Sequence, residues 1–257
     1  MLFRSEEYGD EAACVAVNEQ GKLVAENGKM LHQKEKNTDW STEIKERVFH
    51  SFHRVPITVE ELQLKETTGT HQRVIDMVAH ELITKERIEE WKELPGVAPG
   101  VDISRDIVKL AAIERHKNTG HVGLGFLGKY GLKKGAVATS IGHDSHNLVI
   151  AGVTDEDMVL AGNRVIENGG GLAIALEGKV LADLPLPIGG LMADEPVEVV
   201  DEKLEHMKKL SVELGISEDI DAFMTLAFIS LPVIPKLRLN TYGVVDVEKH
   251  QVVEARF

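Results

Sequence analysis

Three short apolar runs crowded into residues 106–153 constrain this chain more than any other feature. Asp106–Ile113, Gly135–Ser140 and Leu148–Val153 each read as a buried strand. Pro95-Gly96-Val97-Ala98-Pro99-Gly100 precedes them and is the clearest punctuation in the sequence. Thr154-Asp155-Glu156-Asp157 then supplies the cap and acidic first turn of a helix, which Gly169-Gly170-Gly171 end. Leu172–Leu176 and Val180–Leu184, joined by Glu177-Gly178-Lys179, read as a hairpin. Pro196 opens a second helix, where Val199, Val200, Leu204, Met207, Leu210 and Leu214 form a core stripe at helical spacing before Gly215. Asp221–Ser230 reads as a third helix, stopped before Pro232. Leu237–Phe257 reads as a β-hairpin with Tyr242-Gly243 in its turn. Short strands mixed with helices predict an α/β fold of the α+β sandwich type.

The first hundred residues carry weaker signals. Ala13–Val17 and Lys22–Ala25 flank the turn residues Asn18-Glu19-Gln20-Gly21, with a second turn at Asn27-Gly28. Two such strands alone are marginal in water, and the sequence offers them no obvious mate. Residues 33–52 are polar, with one helix expected over Thr42–His50. Val55-Pro56-Ile57-Thr58 resembles the start of an edge strand. Thr58-x-x-Glu61 is a capping-box pattern for a short helix, and a strand is expected within His71–Ile83.

Composition excludes several classes. Hydrophobic residues make up 43% and charged residues 28%, as in soluble globular chains, and 257 residues suffice for a real core. With aromatics at only 5%, aliphatic side chains must supply most of that core. The net charge of −13 argues against nucleic acid or an anionic membrane as the main partner. A single cysteine, Cys14, forbids an internal disulfide and suits a cytoplasmic setting; it reads as a small buried residue. No apolar run is long enough to span a bilayer, and the N-terminus lacks a signal-like apolar segment.

Three segments hold candidate chemistry. Gly123-Leu124-Gly125-Phe126-Leu127-Gly128 satisfies G-x-G-x-x-G, but a dinucleotide site needs a strand directly before it and a helix after it. Lys117–Gly120 intervene before it, and Gly131 and Gly135 interrupt any helix beyond it, so close backbone packing is the better reading. His143-Asp144-Ser145-His146-Asn147 places two imidazoles, a carboxylate, a hydroxyl and an amide between two apolar strands. His143 and His146 share a face only if the chain turns there, which a metal site would require. The alternative is a turn cluster bonding its own backbone. Glu114-Arg115-His116 ends the preceding strand, with Glu114 and His116 on one face, and with His121 forms a second group that can converge on the first. His50-x-x-His53 lacks a carboxylate partner, and His80-Glu81 fails H-E-x-x-H because residue 84 is threonine.

Ile113-Glu114-Arg115-His116-Lys117-Asn118-Thr119-Gly120-His121-Val122-Gly123-Leu124-Gly125-Phe126 closely resembles a block of microbial adenine deaminases of the amidohydrolase superfamily. So do Tyr130–Ser140, His143–Asn147, Leu184–Met192, Phe223–Leu226 and Leu231–Pro235, in the same order. The resemblance runs from about residue 104 to 247, and residues 15–31 are similar to the small β-domain that follows the barrel in that family. It implies manganese- or iron-dependent hydrolysis of adenine to hypoxanthine and ammonia by a homo-oligomer, with metal ligands on a (β/α)8 barrel beginning at a His-x-His pair. This chain has no His-x-His and no room for a barrel of about 250 residues. His121 also stands where the family leads one to expect asparagine.

The resulting expectation is the C-terminal part of an adenine deaminase, a piece of a longer chain rather than a short paralogue or a split subunit, with the barrel in cis or in trans. Residues 1–35 would be a remnant of the small β-domain, 36–100 a linker with short elements, and 101–257 the C-terminal α/β domain. Glu114, His116, His121, His143, Asp144, Ser145, His146 and Asn147 are the candidate accessory site, with His143 and His146 as metal ligands. The other functional classes are a non-catalytic ligand-binding or oligomerisation module and, last, a dinucleotide-binding enzyme.

Overall fold

The computed structural model describes residues 2–8, 11–19, 22–27, 29–31, 40–65 and 68–257, with the side chains of 2–8, 11–19 and 29–30 left aside. The chain divides into two compact units, Met1–Lys45 and Glu46–Phe257.

In the first unit, β1 (Leu2–Tyr8), β2 (Glu11–Glu19), β3 (Lys22–Glu26) and β4 (Lys29–Met30) form an antiparallel sheet in that order. The expected hairpin is β2–β3, and the mate not found in the sequence is β1, whose register pairs Phe3 with Val17 and Ser5 with Cys14. The strand Leu2-Phe3-Arg4-Ser5-Glu6-Glu7-Tyr8 carries three charges and little apolar alternation, which hid it. The expected burial of the Cys14 side chain lies outside the described residues. The helix expected near residues 42–50 is α1 (Thr42–Phe49).

The second unit is built on an eight-stranded mixed sheet. Its strands are β5 (His71–Met77), β6 (Thr84–Glu90), β7 (Ile107–Ile113), β8 (Val122–Gly128), β9 (Ala136–Thr139), β10 (Leu148–Gly152), β11 (Gly171–Leu176) and β12 (Lys179–Pro185). Their spatial order is β12-β11-β9-β10-β7-β8-β5-β6. β5 runs parallel to β8; the other neighbours pair antiparallel. The segment expected to be a linker therefore contributes two strands to the main sheet. β6, Thr-Lys-Glu-Arg-Ile-Glu-Glu, escaped detection because five of its seven residues are charged. It is an edge strand, where charge discourages further pairing. Its charges are matched to β5: Arg73 pairs with Glu86, and Arg87 with Asp76 at 2.9 Å. The edge strand expected at Val55–Thr58 is an irregular segment. Thr58 N–H donates to Glu61 Oε2 at 3.0 Å, one half of the capping box, and the helix beyond it is a single 3-10 turn, Glu60–Leu62.

All seven residues of β7 are buried because both faces of the sheet are covered. Val108, Leu110 and Ala112 face one core, shared with α4 (Ala222–Ile229) and a three-stranded sheet of β13 (Leu237–Asn240), β14 (Gly243–Asp246) and β15 (Gln251–Val253). α3 (Val197–Glu213) also packs on this side, through Met207 and partly buried Val200, Leu204 and Leu210. Ala111 and Ile113 face the other core, under α2 (Asp155–Glu167) and the segment carrying Ile57 and Leu62. Thr154 caps α2 by accepting Asp157 N–H at 3.3 Å. Lys109, the one charge on β7, is neutralised at the same helix start by Asp155 at 2.6 Å.

The C-terminal residues extend the sheet. Phe257 and His71 exchange backbone hydrogen bonds at 2.9 Å, and Arg73 N–H donates to Ala255 O at 2.8 Å. The tail thus occupies the first half of the β5 edge whose second half, Val74–Asp76, pairs with β8.

The Gly123–Gly128 stretch is not a loop leading into a helix. It lies inside β8, so the phosphate-cradling geometry is absent and the packing reading holds. A Cβ on Gly123 would overlap Asn240 O, and one on Gly128 would overlap Asp76 Oδ1. Glycine here lets the three-stranded sheet and the Asp76 carboxylate approach the strand.

Candidate functional site

The β7–β8 connection (residues 114–121) and the β9–β10 connection (residues 140–147) emerge at the same end of the sheet, since β7, β10 and β9 are neighbours. Four of the candidate residues meet there. His116 Nε2 donates to Ser145 O at 2.7 Å, tying the two loops together. His143 N–H donates to Ala227 O at 2.9 Å, and its ring lies 4.6 Å from that of Phe228 on α4. The rings of His143 and His146 are 6.2 Å apart. His146 has a left-handed backbone (φ 47°), donates its N–H to Gly142 O at 2.5 Å and accepts Gly142 N–H on Nδ1 at 3.4 Å. This is the turn that lets two histidines three apart face one region. Asp144 and Ser145 are exposed at its tip.

The hydrogen bonds fix tautomers. A carbonyl only accepts, so His116 carries its proton on Nε2, and neutral His116 offers Nδ1 as an acceptor. An amide N–H only donates, so neutral His146 has a bare Nδ1 and a proton on Nε2. Burial lowers the His146 pKa, helped by the nearby Arg115, His143 and His116 and opposed by Asp144. The ring is therefore neutral at pH 7.

Glu114 does not face this group. Its carboxylate accepts the N–H groups of His116 (2.6 Å), Lys117 (2.8 Å) and Thr119 (2.9 Å), and the Thr119 hydroxyl at 3.1 Å. Desolvation pulls its pKa up, but the donors outweigh it and hold it at about 2. Glu114 organises its own loop. His121 departs as well: its ring lies 4.7 Å from Tyr242, against the three-stranded sheet, so it does not converge with His143 and His146. Asn147 Oδ1 is buried with no hydrogen-bonding partner among the described residues, as is Ser51 Oγ.

Sequence reasoning missed the residue that holds the site together. Arg115 is only 1% exposed, and its guanidinium donates to His146 O at 2.5 Å, Gly189 O at 3.0 Å and Ser51 O at 3.5 Å. It also lies 4.9 Å from the Phe52 ring centroid. A Cβ on Gly190 would fall 2.6 Å from Nη1, so glycine is needed where that loop passes the cation. Burial pushes the Arg115 pKa down to about 10, with Glu114 opposing, and the group stays charged at neutral pH. A lone arginine just past an apolar run carries no spacing signal. Ser140 is the second missed anchor, accepting Gly171 N–H at 2.7 Å and donating to Gly190 O at 2.6 Å.

Among the described residues, no three His, Cys, Asp or Glu side chains gather as a metal-binding group. His143 and His146, expected as metal ligands, are joined there by no third side chain of these types; the manganese or iron of the resemblance is expected on the barrel. Among the same residues, no helix is long and apolar enough to cross a membrane.

An α/β domain with a buried-arginine loop cluster at one sheet end has clear relatives. A family model described as the adenine deaminase C-terminal domain matches residues 81–251. The chain belongs to that family. It is 43% identical over 238 residues to adenine deaminase 2 of Carboxydothermus hydrogenoformans, covering 92% of this chain and 40% of the relative. It is 43% identical over 237 residues to the adenine deaminase of Kosmotoga olearia (92% and 40%) and 39% identical over 241 residues to that of Petrotoga mobilis (94% and 41%). The chain spans about two fifths of the length of these curated relatives.

Proposed function

We propose that this chain acts as the C-terminal part of an adenine deaminase, in the conversion of adenine and water to hypoxanthine and ammonia. The match of residues 81–251 to the family carries this reading. Water adds to the purine carbon bearing the amino group, and that group leaves as ammonia. The metal chemistry is assigned to a barrel in cis or in trans, as the family resemblance implies, and the described residues gather no three His, Cys, Asp or Glu side chains of their own.

The chain's own contribution is the loop pair at the sheet end. His116 Nδ1 is an acceptor, and His146 Nε2 is a neutral donor on the adjoining loop. Asp144 lies between them in sequence on the exposed side of the cluster, next to the half-buried His143. A purine presents both donors and acceptors on its edges, so this mixed surface suits bordering it. The second reading, a ligand-binding or oligomerisation module without catalysis, draws on Glu114 and Arg115, whose polar groups are consumed by the fold.

The test is hypoxanthine formation by the purified chain with Mn²⁺ and adenine. No turnover is expected from the chain alone, and turnover is expected after adding the barrel portion of the Carboxydothermus hydrogenoformans relative, falling at least tenfold with His143→Ala. Turnover by the chain alone that vanishes with His143→Ala would sink the barrel requirement. Calorimetric binding of adenine without any barrel-dependent turnover would favour the module.

A further inference from the structure

The β5–β6 connection, residues 78–83, is flanked by two hollows. One of about 180 Å³ lies against α4, walled by Met77, Leu82, Ile83, Met224 and Phe228. The other, of about 390 Å³, opens toward Lys129 and residues 217–221. They share Met77, Glu81, Leu82 and Thr225 and so form one cleft. Its apolar lining reaches the surface: Leu82 is 53% exposed, Met224 45% and Ile83 39%.

The composition of α4 marks this surface as unfinished. Seven of the eight residues in Ala-Phe-Met-Thr-Leu-Ala-Phe-Ile are apolar, and a helix apolar all round belongs in an interior. Ala222, Phe223, Leu226, Ala227 and Ile229 are buried. Met224 and Phe228, four apart and so on one side of the helix, line the cleft instead. Exposed apolar side chains grouped around a hollow mark an interaction surface. Charge describes what fits it. Glu81 and Asp219 stand on the rim, and neither has an ion-pair partner among the described residues, whereas Lys129 is taken by Asp76 at 3.7 Å. The complement is an apolar side chain with a lysine or arginine beside it.

Two observations select the partner. The chain spans about two fifths of its curated relatives, so about three fifths of such a protein lies outside it. α4 also joins the cleft to the loop pair: Ala227 O accepts His143 N–H at 2.9 Å, and the Phe228 ring lies 4.6 Å from that of His143. A body seated on the cleft therefore adjoins the loops that border the purine in the reading above, on which this inference rests. We propose that the barrel portion of the enzyme docks here. It seats an apolar side chain between Leu82, Ile83 and α4, with a basic residue facing Glu81.

The test uses cysteine labelling, since Cys14 is the single cysteine and Cys14→Ser leaves a blank background. Ile83→Cys and Met224→Cys report on the cleft. Leu181→Cys, 38% exposed as leucine on the opposite edge of the sheet from β6, reports on general reactivity. Each is made in this chain alone and in one protein that joins the remaining three fifths of the Carboxydothermus hydrogenoformans relative to it in the relative's order. Maleimide labelling at 83 and 224 should be fast in the chain alone and at least tenfold slower in the joined protein, beyond any slowing at 181. Adding Glu81→Lys should lower that protection at least threefold. Equal rates in the two proteins would overturn the proposal. So would slow labelling of the chain alone that deepens with concentration, which would place a second copy on the cleft. Protection undiminished by Glu81→Lys would overturn the charge pairing. Adenine turnover by the joined protein is read separately. Turnover without protection would sink the docking site alone, and protection without turnover would sink the functional reading alone.

Discussion

Arg115 joins three separate stretches of chain with one planar cation: residues 51–52, His146 and Gly189–Gly190. Arg115→Met removes all three hydrogen bonds and leaves buried carbonyls unpaired, so it should cost about 3 kcal/mol in urea denaturation. Arg115→Lys should recover little of that, because an ammonium cannot span the fork. Stability within about 0.5 kcal/mol of the parent, the range of an ordinary surface substitution, would refute the anchoring role. Glu114 makes a pH prediction. Its folded pKa, about 2, lies below that of an unfolded glutamate, so its stabilisation is full above about pH 5 and fades as pH falls toward 2. The stability gap between the parent and Glu114→Gln should therefore be constant from about pH 5 to 7 and close on acidification. A gap that widened in acid would contradict the loop assignment. Both side chains sit inside the block that drew attention in the sequence, yet their roles were not legible there. The Glu114 partners are backbone amides, and the Arg115 partners come from loops up to 74 residues away.

Among the elements, β8 separates pattern from geometry. Its three glycines spell a fingerprint, but β8 is a strand seated under β13 and β14. Gly123→Ala pushes a methyl onto Asn240 O and should cost about 3 kcal/mol, measured by thermal or urea unfolding. NAD titrated into the parent should give no saturable signal, and saturable NAD binding lost in Gly123→Ala would restore the fingerprint. β7, β9, β10, β11 and the capped helices were legible, because burial on both faces writes itself as runs of Val, Ile, Leu and Ala, whereas β8, as deeply buried, was not read as a strand because its glycines interrupt the run. β6 was not legible, since the sequence of this edge strand is set by water and by cross-strand charge, and β1, with three charges in seven residues, offered no apolar alternation to read. Arg87 paired with Asp76 is such a contact.

For the whole second unit, stability should grade outward from β7. Its seven buried residues have hydrogen-bonded neighbours on both sides, whereas β6 and β12 are edges. Hydrogen exchange should show β7 amides opening only near the global unfolding free energy, with β6 and β12 several kcal/mol lower. Equal protection across the sheet would defeat this picture. The tail clasp on β5 has a consequence in time. His71 and Arg73 wait for partners roughly 180 residues further along the chain. At synthesis rates of about 5–20 residues per second, that is a delay of roughly 10–40 s. During it the first half of β5 is a half-made edge on a nascent chain, and its closure belongs to the last seconds of the unit's assembly.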